Sequence, residues 1–416
     1  MKSLGQALKS GALLTLMLGH FTNDMFAGVL PMLFPVMKER FDLTNAGVGL
    51  VALAYTGMAS LTQPVFGFFS DRYGRRWFAS AALLWGVSFV AAYGFAPSYH
   101  TFIAFAALAG IASGAYHPLG ASNAALVTDE RYKNVAMSLY TVGGTTGYAL
   151  GPLVAVALLA LIGPHGTVIL LVPGIAVAAL LLPQMRLVER ARRARLATLS
   201  GSGASVAAWG PLTRVVLVTM LRSWVFLSVV QFIPVWYDDL GFGRGFYGPL
   251  VTTIILAGAV GTLVGGALAD RLGQRRIVVG SLVLAIPALL LFAGLPGRYA
   301  FLSGMLFGIA CDASLSVTLV MAQRLVPGRV GVTSGVILGL GFVTGGIGVP
   351  ITGHLADAIG IQAALMSLGI LCGLGALVGL TLPRGAGADE WATDLEPLAV
   401  GPDAIGASRA TAAARR

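Results

Sequence analysis

The 416-residue chain is 56% hydrophobic and only 11% charged, with 56 glycines and a formal net charge of +10. A soluble domain carries about 25% charged residues, so this composition excludes an ordinary soluble enzyme, a nucleic-acid reader and a disordered scaffold. Abundant glycine with little charge is the composition of packed transmembrane helices, and the positive balance reads as topology information. The two cysteines, Cys311 and Cys372, each sit inside an apolar run, so no disulfide framework is indicated. Lys2 and Lys9 precede a long apolar stretch with no small-residue cleavage site, which reads as a retained first span.

A membrane helix needs about 20 mostly apolar residues. Twelve such stretches follow in chain order: 12–36, 46–69, 77–96, 101–127, 135–162 and 167–183, then 213–237, 247–269, 277–295, 299–325, 331–356 and 362–382. The expected fold class is therefore an all-α membrane protein of two six-helix bundles around a central cavity. Residues 1–183 form the first bundle, 184–212 a cytoplasmic linker, 213–383 the second bundle and 384–416 a disordered cytoplasmic tail. Pro31, Pro118, Pro152, Pro234 and Pro350 fall in or near spans, where neighbouring helices re-satisfy the backbone. With the N-terminus in the cytoplasm, 22 of the 27 Lys and Arg residues lie on the cytoplasmic side and four outside. This bias places both termini inside.

The halves repeat. Gly67-Phe-Phe-Ser-Asp71-Arg72-Tyr-Gly74-Arg75-Arg76 after the second span matches Gly266-Ala-Leu-Ala-Asp270-Arg271-Leu-Gly273-Gln-Arg275-Arg276 after the eighth. Asp71 and Asp270 are 199 residues apart, as are Pro35 and Pro234. Gly143, Gly147, Gly151 and Pro152 in the fifth span are echoed by Gly341, Gly345 and Pro350 in the eleventh. Parallel six-span repeats place a substrate site between the halves.

The duplicated G-x-x-x-D-R-x-G-R-R loop, the twelve spans and the Gly/Pro-rich fifth span resemble the major facilitator superfamily over residues 10–383. More finely, His20-Phe-Thr-Asn23-Asp24 and Tyr116-His117-Pro118 resemble the H-x-x-N-D and F-H-P-E signatures of the fosmidomycin-resistance-type exporters, with Leu119 in place of the final Glu. The resemblance implies alternating access, a cavity lined by spans one, four, seven and ten, and, from the fifth-span glycine motif Gly143, Gly147, Gly151 and Pro152, an antiporter.

Ionisable groups in a bilayer core are costly and mark function by default. Five fall there: His20, Asp24, His117, Arg222 and Asp312. At 1.5 Å rise per residue they occupy one central layer, about 12 to 20 Å from the cytoplasmic end. His20 and Asp24, at i and i+4, share a helix face and read either as a proton site or as a hydrogen-bonded pair that packs the first span. Arg222 cannot discharge. It is expected to bind an anionic substrate or to pair with Asp24, whose repeat counterpart is the adjacent Ser223. His117, before a helix-breaking proline, is a substrate contact or proton relay; Asn23 and Tyr116, within these signatures, and Ser316 are further expected substrate contacts. Asp312, with Ser316 one turn on, is a second proton or cation candidate. Asp71, Arg72, Arg75, Asp270, Arg271 and Arg275 form either a conformational latch at the cytoplasmic rim or simple topogenic charge. The Gly143–Pro152 ladder serves close helix packing in any case.

No lysine follows a glycine, so a P-loop is absent, and neither H-E-x-x-H nor G-x-S-x-G occurs. No metal site, cofactor or nucleic-acid partner is expected, and no catalysis. The reading is a monomeric secondary transporter of the bacterial inner membrane that meets lipid, protons and a small-molecule substrate. It exports small organic, possibly anionic, compounds such as fosmidomycin by proton antiport. The alternative is proton symport importing a sugar, acid or other metabolite.

Overall fold

The computed structural model describes residues 10–73, 77–127, 133–196, 209–325 and 330–383. Among these, regular structure is entirely helical. Helix α1 (Gly11–Phe41) starts where the Ser10 hydroxyl accepts the Leu13 N–H and stops at Asp42, which takes the left-handed conformation at φ 50°. There follow α2 (Asn45–Tyr73), α3 (Phe78–Ala92), α4 (Tyr99–Leu126), α5 (Lys133–Ile162) and α6 (Leu171–Leu196). The second half comprises α7 (Trp209–Asp239), α8 (Arg244–Leu272), α9 (Gln274–Gly294), α10 (Ala300–Asp312 and Leu315–Leu325), α11 (Val330–Ile359) and α12 (Ile361–Ser367 and Gly369–Gly379). Among the described residues, eleven spans are long and apolar enough to cross a membrane. The remaining one of the twelve expected, α11, is a 30-residue helix at the expected place.

Three boundaries differ from expectation. Helix α6 runs through Pro183 to Leu196, and α7 begins at Trp209, so both ends of the expected linker are helical. Leu, Met, Glu and Arg dominate Gln184–Leu196 and are good helix formers whatever their charge. The tenth span is broken at Ala313–Ser314, immediately after Asp312. There the Thr262 hydroxyl of α8 donates to the Asp312 carbonyl at 3.1 Å, meeting a backbone group that the break leaves free. The twelfth span is interrupted at Leu368.

The repeat is visible in the packing. A Cβ on Gly110 of α4 would overlap the Tyr55 carbonyl oxygen of α2, and one on Gly308 of α10 would overlap the Ile254 carbonyl oxygen of α8. Tyr55 and Ile254 are 199 residues apart. Each crossing brings two backbones together where only glycine fits. Within the first half α5 lies along α1; between the halves α2 lies along α11 and α5 meets α8.

The halves are clasped at one end. Lys38 Nζ reaches Asp239 at 3.1 Å. Asp357 of α11 accepts from the Asn45 N–H at 2.7 Å and the Ala46 N–H at 3.0 Å, so its carboxylate caps the start of α2 across the interface. This is the end opposite Arg271 and Arg275. Beyond the clasp, Leu61, Val65 and Phe68 of α2 are exposed.

Candidate functional site

In the first half, α1 carries Asn23 and Asp24 into contact with α4. Asn23 Nδ2 donates to Asp24 Oδ1 at 2.9 Å and to Ser113 Oγ at 3.4 Å. The i, i+4 spacing brings His20 Nε2 to 3.2 Å from Asp24 Oδ2. From α4, His117 Nε2 lies 3.5 Å from Asp24 Oδ1. The His20 ring is fixed twice: it stacks on Tyr140 of α5 with centroids 4.2 Å apart, and its Nδ1 lies 2.8 Å from the Tyr140 carbonyl oxygen. Side-chain exposure rises across the group, from 10% at His20 and 17% at Asp24 to 32% at His117. The cluster therefore opens on its His117 side.

In the second half, Arg222 of α7 donates through Nη1 to Asp312 Oδ1 and through Nη2 to Ser223 Oγ at 3.1 Å. All three residues are buried. The expected pairing of Arg222 with Asp24 does not form. Asp24 is held by two histidines in its own half, and Arg222 is held by Asp312 in the other. The cause is the repeat itself. Asn23 corresponds to Arg222 and Ser113 to Asp312, each 199 residues on, so each half closes its own version of one contact.

Other expected site residues fall elsewhere. Tyr116 is fully buried, and its hydroxyl donates to the Leu16 carbonyl at 3.4 Å, so its polar group is engaged inside the first bundle. The helix breaks between Asp312 and Ser316, and the Ser316 hydroxyl donates to the Thr262 carbonyl at 3.0 Å. Gly143, Gly147 and Gly151 pack α5 against Met17, Phe21 and Met25 of α1, and Pro152 touches Gly28. Arg271 and Arg275 stand at the end of α8 and the start of α9. The side chains of Asp71, Arg72 and Asp270, and the whole of Arg75, lie outside the described residues.

The structure adds Ser113, Ser223 and Gly144 to the site. Applying the 199-residue offset to Asp312 and Asp24 points to Ser113 and Ser223; nothing in the sequence singled out Gly144 among so many glycines.

The family model for the Major Facilitator Superfamily matches residues 16–256 and 238–409. An uncharacterized MFS-type transporter of Bacillus subtilis, YfnC, is 30% identical over 386 residues, which cover 89% of this chain and 92% of that protein. The fosmidomycin resistance protein of Escherichia coli is 27% identical over 362 residues, covering 85% and 88%. Among solved structures, a bacterial homologue of the human lysosomal transporter Spinster, inward-facing and occupied, superposes with a TM-score of 0.76 at 18% identity over 88% of this chain and 95% of that one. A variant of the nucleoside transporter NupG gives 0.67 at 14% identity over 89% and 99%. The chain belongs to the Major Facilitator Superfamily and is a multi-pass membrane transporter, not an enzyme.

Proposed function

We propose that this transporter exports small polar organic compounds across the bacterial inner membrane by proton antiport. It works as a monomer with both termini in the cytoplasm. Similarity to the Escherichia coli fosmidomycin resistance protein supports phosphonate-type drugs as cargo. The observation that carries the coupling is the buried Arg222–Asp312 pair. Arg222 stays charged, so the tie between α7 and α10 opens without stranding two charges only if a proton neutralises Asp312. Proton and tie are mutually exclusive. A loaded carrier that crosses with the tie made, and returns empty with Asp312 protonated, moves protons against substrate. We place the coupling proton on Asp312 rather than on Asp24 because Asp24 has no permanent cation to release. The edge formed by Asp24 and His117, backed by the buried Asn23, is then the substrate wall.

The clasp at Lys38, Asp239 and Asp357 corresponds, with the proposed topology, to a closed outer gate and an inward-open state. The loops bearing Asp71, Arg72, Arg75, Asp270, Arg271 and Arg275 would latch the opposite rim when it closes.

Everted vesicles with a pH-sensitive dye test the reading. Substrate should release protons from preloaded vesicles in the wild type. Asp312→Asn should abolish that release while substrate-for-substrate exchange continues. Wild-type uphill transport by Asp312→Asn would refute it. One observation favours the importing alternative: Arg222 Nε is buried with no hydrogen-bond partner among the described residues. An anion seated on a freed Arg222 would travel together with the proton on Asp312. Proton uptake coupled to substrate uptake in right-side-out vesicles identifies that mode.

A further inference from the structure

Three donor groups converge in the first half with no metal expected from the sequence. One donor atom from each of His20, Asp24 and His117 lies within 4.8 Å of the others. His20 Nε2 lies 3.2 Å from Asp24 Oδ2 and His117 Nε2 lies 3.5 Å from Asp24 Oδ1, one histidine on each carboxylate oxygen. A tetrahedral zinc ion with bonds of about 2.0–2.1 Å spaces its donors by roughly 3.3 Å. Each histidine–carboxylate separation is close to that edge, and binding draws the donor atoms, all within 4.8 Å of one another, together about one ion.

The surroundings fit as well. A carbonyl oxygen only accepts, so the Tyr140 carbonyl beside His20 Nδ1 holds a ring hydrogen there and aims Nε2 at the Asp24 carboxylate. At 3.2 Å that gap is closed by a proton in an imidazolium–carboxylate pair, which a metal ion displaces on binding. Metal-ligating histidines almost always donate their other ring N–H to a backbone carbonyl or carboxylate, which sets the ring and its tautomer. His20 has that partner and is stacked on Tyr140 besides. Asp24 has its own support in the Asn23 amide. Gly144 clears the floor of the site: a Cβ there would come within 2.5 Å of both Asp24 Oδ2 and His20 Nε2.

We infer that His20, Asp24 and His117 form a binding site for a divalent d-block cation, zinc above all. The imidazole-rich set selects such ions over magnesium and calcium, which prefer oxygen ligands. Three protein ligands leave a fourth position, and the partly exposed His117 side is where an oxyanion of a substrate would approach it. The inference concerns binding alone and does not depend on the direction or coupling of transport.

The test uses the full-length protein purified in detergent without a polyhistidine tag, titrated with cobalt(II) and read by its visible absorption. One cobalt per chain should bind, displaced by zinc and not by magnesium. His117→Gln and Asp24→Asn should each weaken binding at least ~10-fold. Replacing the three exposed histidines (His100→Gln, His165→Gln and His354→Gln) should leave it unchanged. His117 is the most exposed of the three ligands, so His117→Gln keeps the test valid should Asp24→Asn fail to fold. Gly144→Ala should also lose the metal while every ligand remains. Absence of cobalt binding by the folded wild type would overturn the site, as would equal binding by His117→Gln.

Discussion

Arg222 donates to Asp312 across 90 residues of chain, the separation at which Asn23 donates to Ser113. Each donor also bonds the residue that follows it, Ser223 and Asp24 respectively. The repeat has thus kept a three-residue hydrogen-bonded unit while moving its charges. In the first half the carboxylate stands beside the donor. In the second it stands across the helix interface, and the donor has become a cation.

That relationship makes a swap possible. Breaking the buried pair with Asp312→Ser alone strands Arg222 and should cost about 3–5 kcal/mol. Adding Arg222→Asn rebuilds the neutral first-half contact in the second half. The double variant should recover most of the thermal stability lost by Asp312→Ser, measured by size-exclusion after heating, and should transport without proton coupling. A double variant as unstable as the single one would show that the two contacts are not equivalent.

The clasp predicts unequal effects of its parts. Lys38 and Asp239 form an exposed pair, worth about 0–1 kcal/mol and screened by salt. Asp357 receives two backbone N–H groups, and hydrogen bonds to charged groups contribute about 1.5–3 kcal/mol each. Asp357→Ala should therefore separate spin labels at Glu39→Cys and Leu240→Cys far more than Lys38→Gln does, in a background with Cys311 and Cys372 replaced. Equal distance distributions in the two variants would remove Asp357 from the gate.

Gly147 has no room for a side chain, since a Cβ would overlap the Phe21 carbonyl oxygen, whereas Gly280 has nothing within 4 Å. Gly147→Ala should push α1 from α5 and destabilise the protein by about 1–3 kcal/mol. Gly280→Ala should be neutral or stabilising by up to about 1 kcal/mol. Thermal unfolding of the two variants side by side checks this, and a neutral Gly147→Ala would refute the close approach.

Tyr116 and His117 are neighbours in sequence with different surroundings. Tyr116→Phe removes one hydrogen bond to Leu16, about 0.5–1.5 kcal/mol of stability, and should leave substrate KM unchanged. His117→Gln alters the exposed edge and should raise KM. Loss of substrate affinity in Tyr116→Phe would return that residue to the substrate wall.

The sequence by itself determined the membrane class, the twelve spans and the two-fold repeat. Burial in lipid forces long apolar helices, and duplication leaves a fixed offset between matched residues. It also identified His20, Asp24, His117, Arg222 and Asp312, because charge in an apolar span stands out wherever it points. Hydropathy carries no record of how each helix is rotated or where it crosses a neighbour. Only the tertiary structure decided that Arg222 meets Asp312 and not Asp24, that His117 joins His20 around one carboxylate, and that Tyr116 turns inward. The Thr262 carbonyl took the Ser316 hydroxyl, and the Gly144 backbone opened the space in which His20 and Asp24 meet. Those outcomes depend on helix rotation and close backbone approach, which are set by packing across the whole bundle rather than by the pattern along any one span.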